Sequence, residues 1–220
     1  MKWKDVKLAA LQLMFSNDGA VLNRDDANEE YLNAMPASVN QALSMVTAVG
    51  VPILHKLTVR IDPGAAEAGL AEGVLTVPMA AGGLARVDMR ACCPDFRALA
   101  SQEIYREAAD GFGAAEDWRV EGQDVLVLPA GTDCTYTVYY QAYPTAITAE
   151  TADDFELDVP REAAELAPLF IASQLYREDD IQMSTQMRNE FEDGLAKLKL
   201  AYEQRPAGGG GTVRNTTGWW

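Results

Sequence analysis

Apolar residues recur at helical spacing between Asp158 and Tyr202, in two runs that predict a pair of helices. The first run opens at Pro160, which suits the first position of a helix because its missing N–H would have no partner there. Its apolar face is Ala163, Ala167, Phe170, Ile171 and Leu175, and the second run continues at steps of three or four through Met187, Phe191, Leu195, Leu198 and Tyr202. Asp179, followed three residues later by Gln182, resembles a capping box that opens the second helix. With a short connection between the runs, the pattern predicts an antiparallel helical hairpin.

Three shorter amphipathic segments precede residue 53. Residues 3–15 predict a helix with one apolar side, formed by Val6, Ala9, Ala10, Leu13 and Met14. A second helix is expected to end near Met35, and Pro36 to begin a third over residues 37–48. The face of this third helix is Val39, Ala42, Leu43, Val46 and Val49. Such helices are marginal alone, so we expect them to pack with the C-terminal hairpin into one bundle.

The hydrophobic period changes to two between residues 53 and 143, which indicates strands. Strands are predicted at residues 57–61, 74–77, 85–91, 118–120, 125–128 and 134–143, and the fourth and fifth of these form a hairpin. Residues 95–108 fit a helix or a strand, and we favour a strand. The Ala- and Gly-rich stretches 62–73 and 79–84 are interpreted as loops.

The predicted fold class is therefore α+β, with four parts along the chain. Residues 1–52 supply the N-terminal helices of the bundle, and residues 144–205 the helical hairpin that completes it. Residues 53–143 form an inserted antiparallel β module. Residues 206–220 form an extended C-terminal arm.

Four segments of the chain resemble a known family. Residues 139–144, 157–164, 169–180 and 189–192 are similar to the C-terminal half of the head-to-tail connector (adaptor, or neck) proteins of tailed bacteriophages. The resemblance covers residues 135–200 well, the N-terminal helices loosely and the middle of the chain hardly at all. Its residues are helix-packing and capping positions, and none is a catalytic signature.

The resemblance implies a structural virion protein, made in the host cytoplasm and located in the neck between capsid and tail. Such a protein forms a homo-oligomeric ring, a dodecamer in this family, that joins the portal protein to the next neck or tail protein. DNA passes through its channel without sequence-specific binding, and no membrane is involved.

Net charge bears on how the protein would interact with DNA. The chain carries 18 basic and 33 acidic residues, a formal net charge of −15, which opposes nucleic-acid binding because that binding uses Lys and Arg to neutralise phosphates. The acidic residues could simply maintain solubility, the interpretation that composition alone favours. They could also let DNA slide through a channel without sticking, the interpretation that the resemblance favours.

No recognisable active site emerges from the sequence, so we expect no enzyme activity, no cofactor and no metal. Nucleotide-binding, hydrolase and zinc-protease motifs are absent. The single histidine, His55, is interpreted as a structural or surface residue. The three cysteines, Cys92, Cys93 and Cys134, are interpreted as buried structural thiols. The acidic clusters at residues 153–154 and 178–180 flank predicted helix starts, where capping explains them. The alternative is a metal-dependent enzyme that uses one of these clusters.

The last fifteen residues differ from the rest of the chain. Four consecutive glycines make a flexible linker, and fifteen residues reach about 50 Å when fully extended. Tryptophan is a frequent interface anchor, so we predict that the arm docks into a partner through Trp219 and Trp220, with polar contacts from Arg214. The resemblance makes the portal that partner. The alternative for the arm is a disordered tail or a cloning remnant. A further alternative for the whole protein is a soluble binding module, unrelated to virions, whose flexible tail recruits a partner.

Overall fold

The computed structural model describes residues 1–15, 28–49, 51–80, 82–108, 111–129 and 134–204. Its helices are α1 (Trp3–Phe15), α2 (Glu29–Ala48), α3 (Met89–Cys92), α4 (Arg161–Ala164), α5 (Ala167–Leu175) and α6 (Ile181–Glu203). Its strands are β1 (Ile53–Asp62), β2 (Gly69–Ala71), β3 (Val74–Pro78), β4 (Leu84–Asp88), β5 (Phe96–Ala108), β6 (Gly111–Ala114), β7 (Arg119–Glu121), β8 (Val125–Pro129) and β9 (Thr135–Ala142).

The predicted fold class, a helical bundle with an inserted antiparallel β module, is wrong. The protein is a mixed α/β structure rich in sheet, with a six-stranded sheet in the order β2-β3-β1-β9-β5-β6 and a three-stranded sheet in the order β4-β8-β7. The larger sheet is not purely antiparallel, because β1 and β3 run parallel. Helical periodicity is visible within a short window of sequence, whereas the extent of a sheet depends on which distant strands pair. The β region was therefore underestimated.

Both sheets and the helices share one hydrophobic core. The inner side of the larger sheet contributes Leu57, Val59, Ile61, Tyr136 and Val138, and the smaller sheet contributes Ala85, Val87, Leu126 and Leu128. The same cluster continues into α1, α2, α5 and α6. Since buried apolar area supplies most of the stabilisation of a fold, the sheets are part of the central core and not an appendage to a bundle.

The helices pack around α5, which contacts α1, α2 and α6. The predicted hairpin is confirmed as the pair α5–α6, and its second face is confirmed by the burial of Met187, Phe191 and Leu198. The first predicted helix of the hairpin is divided into two: it breaks after α4, and helical structure resumes at α5. Asp180, and not Asp179, caps α6: its Oδ1 accepts hydrogen bonds from the N–H groups of Gln182 and Met183, both at 3.0 Å.

The N-terminal helices differ from the prediction at Pro36. One helix, α2, runs through this residue, although proline inside a helix removes a hydrogen bond and costs about 3 kcal/mol. The buried stripe continues on both sides of it, through Leu32, Met35, Val39, Ala42, Leu43 and Val46. Burial of that continuous stripe offsets the lost bond. In α1 the buried apolar residues are Trp3, Val6, Ala10, Leu11 and Met14, whereas Leu13, predicted on the apolar side, is 38% exposed.

Most predicted strands are confirmed, including the ambiguous segment that forms β5. The strand expected at residues 85–91 ends at Asp88, whose Oδ1 accepts a hydrogen bond from the Ala91 N–H at 3.0 Å and starts α3. The stretch 62–73, expected to be a loop, contains the short edge strand β2. No helix in the described ranges has the length and apolar character needed to cross a membrane.

The α5–α6 contact can be tested by truncating its central aromatic pair. Phe191 is fully buried, and its ring meets that of Phe170 edge-on at 5.0 Å. We expect Phe191→Ala to cost about 3–5 kcal/mol of unfolding free energy, because it removes buried apolar surface and leaves a cavity. Urea denaturation measures the loss. The matched control is Leu200→Ala on the exposed side of α6, and equal costs for the two variants would contradict the assigned core face.

Gly194 provides a second test of the same helix. A methyl group at this position would lie 2.5 Å from Leu166 Cδ2, although Gly→Ala inside a helix otherwise gains about 1 kcal/mol. We expect the gain to appear in full only when Leu166 is also replaced by alanine. Urea denaturation of Gly194→Ala, Leu166→Ala and the double variant measures this coupling. Equal effects of Gly194→Ala in both backgrounds would mean that the glycine is not required for close packing.

Candidate functional site

The predicted partner-binding residues Arg214, Trp219 and Trp220 lie outside the described residues, as does the rest of the arm. The last described helix, α6, ends at Glu203 and is followed by Gln204, whose N–H bonds to the Leu200 carbonyl at 3.1 Å. The docking hypothesis for the arm therefore stays a prediction.

The acidic clusters occupy structural positions. Asp153 forms an ion pair with the buried Lys7 of α1, and Asp179 Oδ2 accepts a hydrogen bond from the Tyr31 hydroxyl at 2.8 Å. This bond, together with burial, raises the pKa of Tyr31. Among the described residues, no group of three His, Cys, Asp or Glu side chains is arranged to hold a metal ion. The carboxylates therefore act in the structure as a cap and as partners that tie separate segments together.

His55 belongs to a hydrogen-bonded cluster that sequence analysis missed. Its Nδ1 lies 2.6 Å from Asp95 Oδ2, and the Tyr140 hydroxyl donates to Asp95 Oδ1 at 3.0 Å. Strand pairing explains why these side chains come together, because Ile53 of β1 and Phe96 of β5 both lie opposite Ala142 of β9. No local motif signals this arrangement, because the three side chains come from distant parts of the chain.

The electrostatics of this cluster oppose nucleophilic chemistry. Burial raises the pKa of the Cys93 thiol, and burial also raises the pKa of Tyr140, with further contributions from hydrogen bonds to Cys93 and Asp95. Both groups therefore keep their protons at neutral pH. A thiol acts as a nucleophile in its thiolate form, so the cluster fits a structural role for His55 and Cys93.

The cysteines offer a direct check on this picture. Cys92 is half-buried, whereas Cys93 and Cys134 are buried, and burial raises the pKa of both Cys92 and Cys93. At pH 8 we expect iodoacetamide to alkylate Cys92 first, and all three thiols to react more slowly than in urea. The rate at Cys92 should rise as the pH increases toward its raised pKa. Mass spectrometry of timed samples measures the order, and rapid native labelling of Cys93 would contradict the assigned burial.

A shallow groove of about 280 Å³ lies between α5 and α6. It is lined by Ser173, Gln174, Arg177, Ile181, Ser184, Thr185 and Arg188. Several of its polar groups already have partners: the Ser184 hydroxyl donates to the Ser173 carbonyl at 2.7 Å, and Arg188 Nε donates to Glu192 at 2.7 Å. The groove is therefore a seam of the hairpin with its own internal bonds.

Two larger exposed surfaces stand out. The first, here called the open sheet face, is the outer side of the six-stranded sheet. Strand alternation and register place these residues on it: Leu54, Lys56, Thr58, Tyr105, Phe112 and Tyr139. Leu54 is 49% exposed and Phe112 is 69% exposed, and the Phe112 ring stacks on Tyr105 at 5.4 Å.

The second surface, here called the outer face of α6, lies opposite the buried stripe of that helix. Helical spacing places these exposed residues on it: Gln182, Gln186, Asn189, Glu190, Asp193, Lys197 and Leu200. The face is polar, and Glu190 and Asp193 form its acidic centre. A single helix thus presents its apolar stripe to the core and a long polar surface to its surroundings.

Comparison with known proteins gives no family. A scan of the chain against models of protein families finds no match, and a search of the curated proteins finds none either.

Proposed function

We propose that this protein is a head-to-tail adaptor of a tailed bacteriophage, located in the virion neck, where copies of it form a ring between the portal and the tail. The observation that carries the proposal is the position of the residues that resemble the connector proteins. Asp158 Oδ2 accepts hydrogen bonds from the Thr145 N–H and hydroxyl, at 2.8 and 2.7 Å. Asp180 caps α6, and Phe170 packs on Phe191. These residues fix the shape of a hairpin and its connections, which suits a protein whose role is mechanical.

The exposed surfaces support an assembling protein. A ring requires two different surfaces on each subunit, because a head-to-tail contact joins one patch to another and closes only when the rotation between copies is correct. The open sheet face and the outer face of α6 are two such surfaces, and they differ in chemistry. Exposed apolar side chains grouped on one face are typical of interaction sites.

The charge balance supports a channel for DNA. With 33 acidic residues against 18 basic ones, the ring would present net negative potential to the phosphate backbone. Binding of DNA needs cations to replace its counterions, so an acidic lining lets DNA pass without stalling. In this mechanism the acidic wall of the channel prevents DNA from adhering to it.

The experiment that tests the proposal combines the protein with isolated portal rings and examines them by electron microscopy. We expect a ring of many copies on the portal. Deletion of residues 206–220 should leave the melting temperature almost unchanged, because α6 ends at Glu203, but should weaken attachment to the portal. Replacement of Trp219 and Trp220 by alanine should have a similar effect, whereas replacement of Asn215 and Thr216 serves as the control.

Ring formation on the portal and the effect of deleting the arm test different parts of the proposal. If the full-length protein forms no ring on any portal and is missing from purified particles, the adaptor proposal is wrong. If rings form equally well without the arm, only the anchoring role of the arm is wrong.

A further inference from the structure

The open sheet face lacks a covering layer in the described part of the chain. Sheets in globular proteins usually bury a face against another element, and the inner side of this sheet does so. Its outer side instead carries Leu54, Phe112 and the partly exposed rings of Tyr105 and Tyr139. This mixture of aliphatic and aromatic groups is typical of a contact surface.

Lys56 gives the open sheet face its charge preference. It is exposed and lies directly opposite Tyr139 in the β1–β9 register, at the centre of the apolar and aromatic residues. Further along the same side, Arg60 and Glu107 both lie opposite Thr135, and Asp62 lies opposite Pro78. An element with an acidic centre therefore complements the middle of the face.

The outer face of α6 has this property and the correct length. Glu190 and Asp193 are exposed near its middle, with Lys197 one turn beyond. The helix has 23 residues and is about 34 Å long at the usual rise. Strand β1 has 10 residues, or about 33 Å, so a helix lying along the strands would match the sheet from end to end.

We infer that, in the ring, the outer face of α6 of one copy packs on the open sheet face of the next copy, with Glu190 and Asp193 near Lys56. The inference rests on the proposed ring. The contact joins two different surfaces and so repeats head to tail. The open sheet face thus receives from a neighbour the helical layer that it lacks in the described part of the subunit.

The contact is weak when it stands alone. A helix about 34 Å long and about 10 Å wide projects onto roughly 340 Å² of sheet, less than the roughly 800 Å² per partner of a stable interface. Free copies should therefore separate readily, and a closed ring, held on the portal, should persist because every copy makes two such contacts.

Charge reversal tests the contact on the portal. Lys56→Glu and Glu190→Lys should each lower the number of assembled rings about tenfold or more, because they place like charges opposite each other. The double variant should recover rings, since it restores an opposite pair in every contact. The matched control, Lys4→Glu on the exposed side of α1, should assemble normally. Rings that form equally well with all four variants would overturn the inferred contact.

Cross-linking tests the contact without the portal. In concentrated protein that carries both Lys56→Cys and Glu190→Cys, oxidation should give a ladder of more than two copies. Either single variant should give no ladder, because the contact places residue 56 beside residue 190 of the next copy and not beside a second residue 56. The chain with its native cysteines alone should stay uncross-linked. If wild-type rings form on the portal but the double variant gives no ladder, this inference is wrong and the adaptor proposal stands. If the ladder forms but no ring is seen on any portal, the adaptor proposal fails and the contact between copies stands.

Discussion

Hydrogen bonding of β9 to β1 on one side and to β5 on the other determines most of the features described above. It brings the first and middle parts of the β region together. It places Tyr140 between His55 and Asp95 on the inner side, and Tyr139 between Lys56 and Tyr105 on the outer side. Because neighbouring residues of a strand point to opposite faces, one strand separates the partly buried cluster of His55, Asp95 and Tyr140 from the open sheet face. A shift of one residue in this register would exchange the two.

Burial of polar groups around this strand has a clear cost and a clear compensation. The Tyr136 hydroxyl donates to the Pro129 carbonyl at 2.6 Å, and that of Tyr140 donates to Asp95. An unpaired buried hydroxyl would cost about 1–3 kcal/mol, so these bonds allow large aromatic side chains in the core without that penalty. The same bonds tie β9 to the last residue of β8 and to the turn before β5.

The sequence predicted local structure better than it predicted the arrangement of elements. The periodic faces of Val39–Val46 and Met187–Leu198 identified core positions correctly, because a helix buries a stripe that repeats every three or four residues. The alternation in residues 134–143 identified β9 in the same way. The continuity of α2 through Pro36 was missed, because tertiary burial outweighed a local helix-breaking preference. The parallel β1–β3 pair and the size of the sheets were missed because strand order is a property of distant pairing.

In the candidate site, too, features of a single segment were predicted from the sequence and features that depend on distant strand pairing were not. His55 was interpreted as a structural or surface histidine, and its neighbour Asp95 could not be found from spacing. The exposed sides of α2 and α6 followed from their periodic patterns, whereas the pattern in α1 misplaced Leu13. The open sheet face did not follow from such a pattern, since it requires the register of β1, β9, β5 and β6 together. Arg214, Trp219 and Trp220 were selected from residue type, from their position after a glycine-rich linker and from the resemblance, and they lie outside the described residues.

The net charge of the subunit opposes the approach of one copy to another. At −15 the subunits repel one another at long range, and salt reduces that repulsion beyond about 8–10 Å. In the proposed ring, association would come from short-range contacts, and Lys56 places a cation among the apolar groups of the open sheet face. The same repulsion that keeps free copies apart would also keep DNA away from the wall of a channel. One charge balance thus serves both parts of the proposed function, provided that the cations are concentrated where the copies touch.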